Sequence, residues 1–324
     1  MSDRDAPDIY IHIGYPKTAT TWLQNDIFPH HPDFCFISNR YKLTDWGVHL
    51  VSANSLSFDA DWVRREVFAV SEASGKNKIL ISWEHLLGDS FFNADHLVTL
   101  AERLKLCFPN ARIIIYLREQ FALLRSLYAQ YVQEGGTWSL ASFVQLKYPY
   151  RVGFDPVYLD YANVIALYKH LFGHDNIYIS LYEKLKAQPK DELSALFCWM
   201  ALPDNEALIT TASKSYNVSL SRQSLHVMRF LNCMVPSRFN SFGPVLFRRQ
   251  PQSRTYLRKW MQEFIDPMIV RKIFTRHQLE LPQSLQERLS SYYSESNAAI
   301  SSDLNIDLTA YGYCSRDITG TGND

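Results

Sequence analysis

The sequence predicts an α/β protein in which a parallel β-sheet is flanked by helices, followed by a mostly helical C-terminal part. Three observations lead there. Short β-rich runs alternate with longer helical patterns through the first two-thirds of the 324 residues, and that alternation implies βαβ units. One run, "ARIIIYLR" at residues 111–118, is apolar almost without a break, as a strand covered on both faces requires. Capping and stopping residues also sit at the ends of the periodic segments.

In chain order, strands are expected at Asp8–Gly14, Phe34–Ser38, Lys78–Trp83, Ala111–Leu117 and Asn176–Leu181. Helical periodicity occupies residues 59–73, 93–108, 119–136 and 155–173. Asp59 and Asn93 stand where N-caps belong, and Gly135 and Gly173 where helices stop. A last amphipathic helix is expected at about Pro282–Ile300. No repeat or long linker divides the chain, so residues 1–324 read as a single domain. The compositional break follows Lys214. From Arg222 to Arg276 eleven basic residues stand against two acidic ones, an excess of nine. The surrounding stretch, at about 215–283, reads as a basic insertion or lid.

Composition excludes some classes. With 47% hydrophobic and 14% aromatic residues the chain has material for a large core and is not a disordered one. Thirty-three basic and 33 acidic residues give zero formal charge, so overall charge offers no reason to expect nucleic-acid binding. The N-terminal residues lack an apolar run of signal-peptide length, and no run of about 18 apolar residues suggests a membrane span. Five cysteines without CxxC or Cys/His spacing suggest thiols in a reducing compartment and no metal. A cytoplasmic protein is expected, with peripheral membrane contact by the basic segment as an option. Nothing in the sequence sets the oligomeric state.

The chemistry concentrates after the first strand, in "GYPKTATTW" at residues 14–22. A strand-to-helix loop at this place offers free backbone N–H groups to an anion. Lys17 adds a charge, and Thr18, Thr20 and Thr21 add hydroxyls. The triphosphate-binding version needs a second glycine and a later lysine, so this loop is sized for a smaller anion. The same residues also suit a plain helix cap with Lys17 in water. Further on, Arg118 follows the apolar strand directly and Ser126 comes eight residues later. Arg118 offers a planar fork suited to phosphate; alone, the pair would be an ordinary surface arginine and helix serine. At the end of the third strand stand Glu84 and His85, each a candidate base.

The loop resembles the 5′-phosphosulfate loop of sulfotransferases that use 3′-phosphoadenosine-5′-phosphosulfate (PAPS), whose usual form is Pro-Lys-(Ser/Thr)-Gly-Thr-Thr-(Trp/Ser)-Leu. The arginine and the serine eight positions on are similar to that family's 3′-phosphate site. The resemblance implies a P-loop NTPase-like sulfotransferase fold and an enzyme passing a sulfuryl group from PAPS to a hydroxyl, with PAP as product and no metal. It implies donor contacts at Lys17, Thr18, Ala19, Thr20, Thr21, Trp22, Arg118 and Ser126, with Lys17 also acting on the leaving group. "LYEKLK" at residues 181–186 is similar to the family's Tyr-Glu-(Asp/Lys)-Leu-Lys, which implies Tyr182 beside the adenine. Arg248 and Arg249 match its late basic loop. Ser82-x-Glu84 resembles the carbohydrate-type and bacterial members, so Glu84 is favoured over His85 as base, with a small-molecule, glycan or glycolipid acceptor. Ala19 departs from the pattern. A methyl there calls for a negative or nearly negative φ, while the backbone is still expected to trace the glycine path. A P-loop kinase of a small metabolite and a non-catalytic nucleotide-binding module are the alternatives.

Overall fold

Strand β1 (Asp8–His12) is buried at every residue after Asp8, because apolar layers cover both of its faces. The computed structural model describes residues 6–38, 44–92, 94–144, 153–203, 221–234, 236–240 and 279–315. Among these, five strands form one sheet in the order β2-β3-β1-β4-β5, with β2 at Cys35–Ile37, β3 at Lys78–Ser82, β4 at Arg112–Leu117 and β5 at Ile177–Leu181. Every neighbouring pair is parallel. The expected strands are all present, each shortened at one end or, for β2, at both, where the chain turns into a loop.

The helices are α1 (Thr20–Trp22, running on as a π turn over Leu23–Ile27), α2 (Asp45–Ser52), α3 (Ala60–Ser74), α4 (Leu97–Cys107) and α5 (Gln120–Gln133). There follow α6 (Leu140–Val144), α7 (Tyr161–Phe172), α8 (Tyr182–Ala187), α9 (Pro189–Trp199), α10 (Arg222–Met234) and α11 (Gln283–Leu304). Period-2 alternation along the strands divides the core. Ile11, Ile79, Ile81, Ile113 and Ile115 pack on one face with Val63 and Val67 of α3, Leu104 of α4 and Tyr168 of α7. Tyr10, Leu80, Ile114 and Tyr116 pack on the other with Leu23, Phe28, Leu193, Leu196 and Phe197. Each such fully buried side chain contributes about 1.5–3 kcal/mol, which offsets the entropy of ordering the chain.

Local signals account for most helix ends. Asp59 caps α3 by accepting from the Trp62 amide at 2.8 Å, and Gly173 ends α7 at φ 91°. Two expectations change. Asn93 lies outside the described residues, and α4 starts later, at Leu97. The residues before it form turns instead: the Ala94 amide donates to the Asp89 carbonyl, the Leu97 amide to the Ala94 carbonyl, and Ala94 takes φ 51°. The last helix runs on to Leu304, where Asn305 in the left-handed region stops it. Most of the basic segment, Arg248 and Arg249 included, falls outside the described residues.

The sheet order fixes where a ligand belongs. β1 has β3 on one side and β4 on the other, so the strand order reverses at β1. Loops leaving the carboxyl ends of strands at such a switch point flank a crevice.

Candidate functional site

The loop after β1 is built from below. His12 ends the strand, and its Nδ1 pairs with Ser82 Oγ at 2.8 Å. Gln24 Nε2 donates to the same Oγ at 2.9 Å and to the Ser82 carbonyl at 3.2 Å. The Ser82 hydroxyl thus holds both the His12 ring and the Gln24 amide in place. Burial pushes the imidazole pKa down to about 3, so the ring is neutral. Nε2 has no hydrogen-bond partner among the described residues and lies under Gly14. A side chain at Gly14 would put its Cβ 2.6 Å from that nitrogen and 3.0 Å from Thr20 Cγ2. Glycine is needed here for space.

Above this floor the backbone is bent at two points. Lys17 has φ 67° and Ala19 has φ 62°, ψ 16°. The negative φ expected at Ala19 is thus wrong, and the glycine-like path is right. Alanine enters the left-handed region at a cost of roughly 1–2 kcal/mol, sustained because the loop is fixed on both sides of it. The Thr18 hydroxyl donates to the Tyr15 carbonyl at 2.6 Å, and the Leu23 amide donates to the Ala19 carbonyl at 3.0 Å. The Thr18 hydroxyl therefore shapes the loop. Tyr15 is fully buried, edge-on to Tyr158 and Tyr161 at 5.2 and 4.9 Å. Thr21 and Trp22 stand half-buried at the start of α1.

Two strand ends close on the loop. From the β3 side, Glu84 opens a 3-10 turn over Glu84–Leu87, and its Oε1 accepts a hydrogen bond from the Thr20 hydroxyl. His85 is exposed and lies edge-on to Trp83 at 5.6 Å. Of the two candidate bases, Glu84 touches the loop. From the β4 side, Arg118 Nη1 donates to the Lys17 carbonyl at 2.8 Å. Its guanidinium lies 4.7 Å over the Tyr182 ring, at the start of α8, where a cation and an aromatic face attract. Contacts thus join Lys17, Thr20, Glu84, Arg118 and Tyr182 into one place. Ser126 follows Arg118 in α5, about two turns in and half-buried.

Sequence reading missed the His12–Ser82–Gln24 support, although a histidine between Ile11 and Ile13 in a doubly covered strand was a signal for it. It also missed Glu183 and Tyr313, which contact the Arg118 region from far along the chain. Among the described residues no group of three or more His, Cys, Asp or Glu side chains could hold a metal, and no helix is long and apolar enough to cross a membrane.

No family model matches the sequence, and no curated protein matches it significantly. Solved structures do resemble it. A sulfotransferase from Alicyclobacillus acidocaldarius is 14% identical at a TM-score of 0.54, over 95% of this chain and 99% of that one. A sulfotransferase domain from the curacin biosynthetic pathway is 13% identical at 0.46, over 93% and 98%. Mouse sulfotransferase SULT7A1, complexed with PAP, is 14% identical at 0.38, over 81% and 86%. The first of these shows that the chain has the sulfotransferase fold, a parallel-sheet α/β architecture of the P-loop kind. The likeness read from the first loop and from Arg118 holds at the level of fold.

Proposed function

We propose that the protein is a PAPS-dependent sulfotransferase acting on a hydroxyl acceptor, with PAP as the other product. The observation that carries this reading is the meeting of the β1 loop with Glu84 through Thr20 and with Arg118 through the Lys17 carbonyl. The residues fit an anion. Left-handed turns at Lys17 and Ala19 favour a concave run of backbone N–H groups. Gly14 lets the backbone pass close over the His12 ring, whose Nε2 is unpartnered among the described residues.

The donor supplies an activated sulfur–oxygen bond when it is bound; the chain positions charge and protons around it. Glu84 takes the proton from the acceptor hydroxyl. Thr20 has one hydroxyl proton: directed at Glu84 it fixes the carboxylate, and directed into the loop it leaves both Glu84 oxygens open to a proton. Lys17 would neutralise charge on the leaving oxygen, and Thr18 to Trp22 would help hold the same group. Arg118 and Ser126 would take the 3′-phosphate and Tyr182 the adenine; Arg248 and Arg249, outside the described residues, are the further candidates for the phosphate that the sequence offers. Positioning and electrostatics supply the rate enhancement, as in phosphoryl transfer. A glycan, glycolipid or small molecule in the cytoplasm is the proposed acceptor.

Calorimetric titration tests the reading. PAP should bind without added metal, and more tightly than ATP with magnesium. Tight binding of ATP with magnesium and none of PAP would overturn it in favour of the kinase.

A further inference from the structure

Arg118 owes its place to more than the loop that it touches. Its carbonyl accepts from the Tyr161 hydroxyl at 2.5 Å. The next amide, on Glu119, donates to Glu183 Oε1 at 3.0 Å, and Glu183 Oε2 accepts from the Tyr313 hydroxyl at 3.3 Å. One carboxylate thus links the peptide after Arg118 to a residue near the far end of the chain. Two bonds on two oxygens fix its orientation, and losing one lets the carboxylate turn.

The segment that delivers Tyr313 is itself anchored. Leu308–Tyr311 form a 3-10 turn with Leu308 buried, and Gly312 follows at φ 85°. A Cβ built on Gly312 would lie 4.0 Å from Glu119 Cγ. The Cys314 carbonyl accepts from Asn297 Nδ2 at 3.0 Å, and Asn297 Oδ1 accepts from Gln120 Nε2 at 2.5 Å. Tyr313 is 3% exposed. Burial first, and then Glu183 beside it, push its phenol well above the ordinary range, so the hydroxyl stays a donor at neutral pH.

We infer that Tyr313 is a positioning residue for Arg118: through Glu183 it fixes the Arg118–Glu119 peptide, and so the direction in which the guanidinium presents itself to a 3′-phosphate. This rests on the sulfotransferase reading, in which Arg118 binds that group. A neighbour that only filled space would act through its ring, which phenylalanine keeps.

The test compares PAP with adenosine 5′-monophosphate, which lacks the 3′-phosphate, by calorimetry on wild type, Tyr313→Phe and Lys169→Met. Lys169 pairs with Asp303 at 2.5 Å on the outer side of α11, so its loss perturbs that helix away from Arg118. Wild type should prefer PAP, and Tyr313→Phe should cut the preference by about fivefold to tenfold through weaker PAP binding. Its affinity for the monophosphate, and the preference of Lys169→Met, should stay unchanged. An unchanged preference in a folded Tyr313→Phe overturns the inference and leaves the sulfotransferase reading standing. A wild type that does not prefer PAP overturns the role of Arg118 and the inference with it. Should Tyr313→Phe not fold, Glu183→Gln, which keeps a single acceptor oxygen, is held to the same two outcomes.

Discussion

Replacing Gly14 by alanine tests the construction of the loop at its tightest point. The added methyl would meet His12 Nε2 at 2.6 Å, His12 Cε1 at 3.0 Å and Thr20 Cγ2 at 3.0 Å. The imidazole cannot simply withdraw. Its Nδ1 is bound to Ser82 Oγ at 2.8 Å, and Phe28 and Tyr116 stand edge-on to the ring at 5.6 and 6.0 Å. Overpacking of this kind costs about 1–3 kcal/mol. With an unfolding entropy near 2.1 cal/mol/K per residue, that corresponds to a melting temperature about 2–4 °C lower. The other escape is displacement of Thr20, which disturbs its bond to Glu84 and should lower turnover as well as stability. The assay is thermal and urea unfolding of Gly14→Ala, His12→Ala and the double variant. His12→Ala alone should destabilise by leaving a cavity, yet it should relieve Gly14→Ala, giving a coupling of about 1 kcal/mol or more. Effects that add within about 0.5 kcal/mol, or a neutral Gly14→Ala, would refute the close contact.

Three further expectations follow from the same geometry. Ala19→Gly should stabilise by about 0.5 kcal/mol, because the left-handed cost removed slightly exceeds the entropy that glycine adds to the unfolded chain; a loss above about 1 kcal/mol in chemical unfolding would contradict the strain. Glu84→Gln should lower kcat by about 10²–10⁴-fold with PAP affinity kept, whereas His85→Ala should retain most activity; steady-state rates with calorimetric binding tell them apart. Stability should also fall as pH drops from about 6.5 toward 3: the unfolded His12 takes up a proton in that window, and the buried one, at about 3, does not. The slope is about 1.4 kcal/mol per pH unit for that proton. His12→Gln should remove about one proton from urea-unfolding data across this range, while His31, also lowered chiefly by burial, keeps its own contribution.

Residues that follow a strand were the ones legible in the sequence. Apolar runs such as residues 111–117 marked the strands, and Lys17, Glu84 and Arg118 stood out as polar groups just past such runs. A parallel sheet gathers those ends, so a list of strand-end residues is already a rough map of the crevice. Features set by tertiary contact were hidden. The backbone at Ala19 was misjudged because a local steric preference of roughly 1–2 kcal/mol yielded to a loop fixed from several sides. The start of α4 was misplaced because Asp89 and Ala94 use their backbone groups in turns. The link from Tyr313 through Glu183 to the Glu119 amide joins residues with no local relation, and no periodicity reports it.

Sulfuryl transfer itself is the most direct measurement. Wild type and Glu84→Gln are incubated with radiolabelled PAPS and a panel of hydroxyl acceptors, including glycans and glycolipids, and labelled product is counted. The expected result is label on at least one acceptor with wild type, with release of PAP, and a loss of about 10²-fold or more with Glu84→Gln. Equal rates for the two proteins, or tight PAP binding without transfer to any hydroxyl class, would contradict the account.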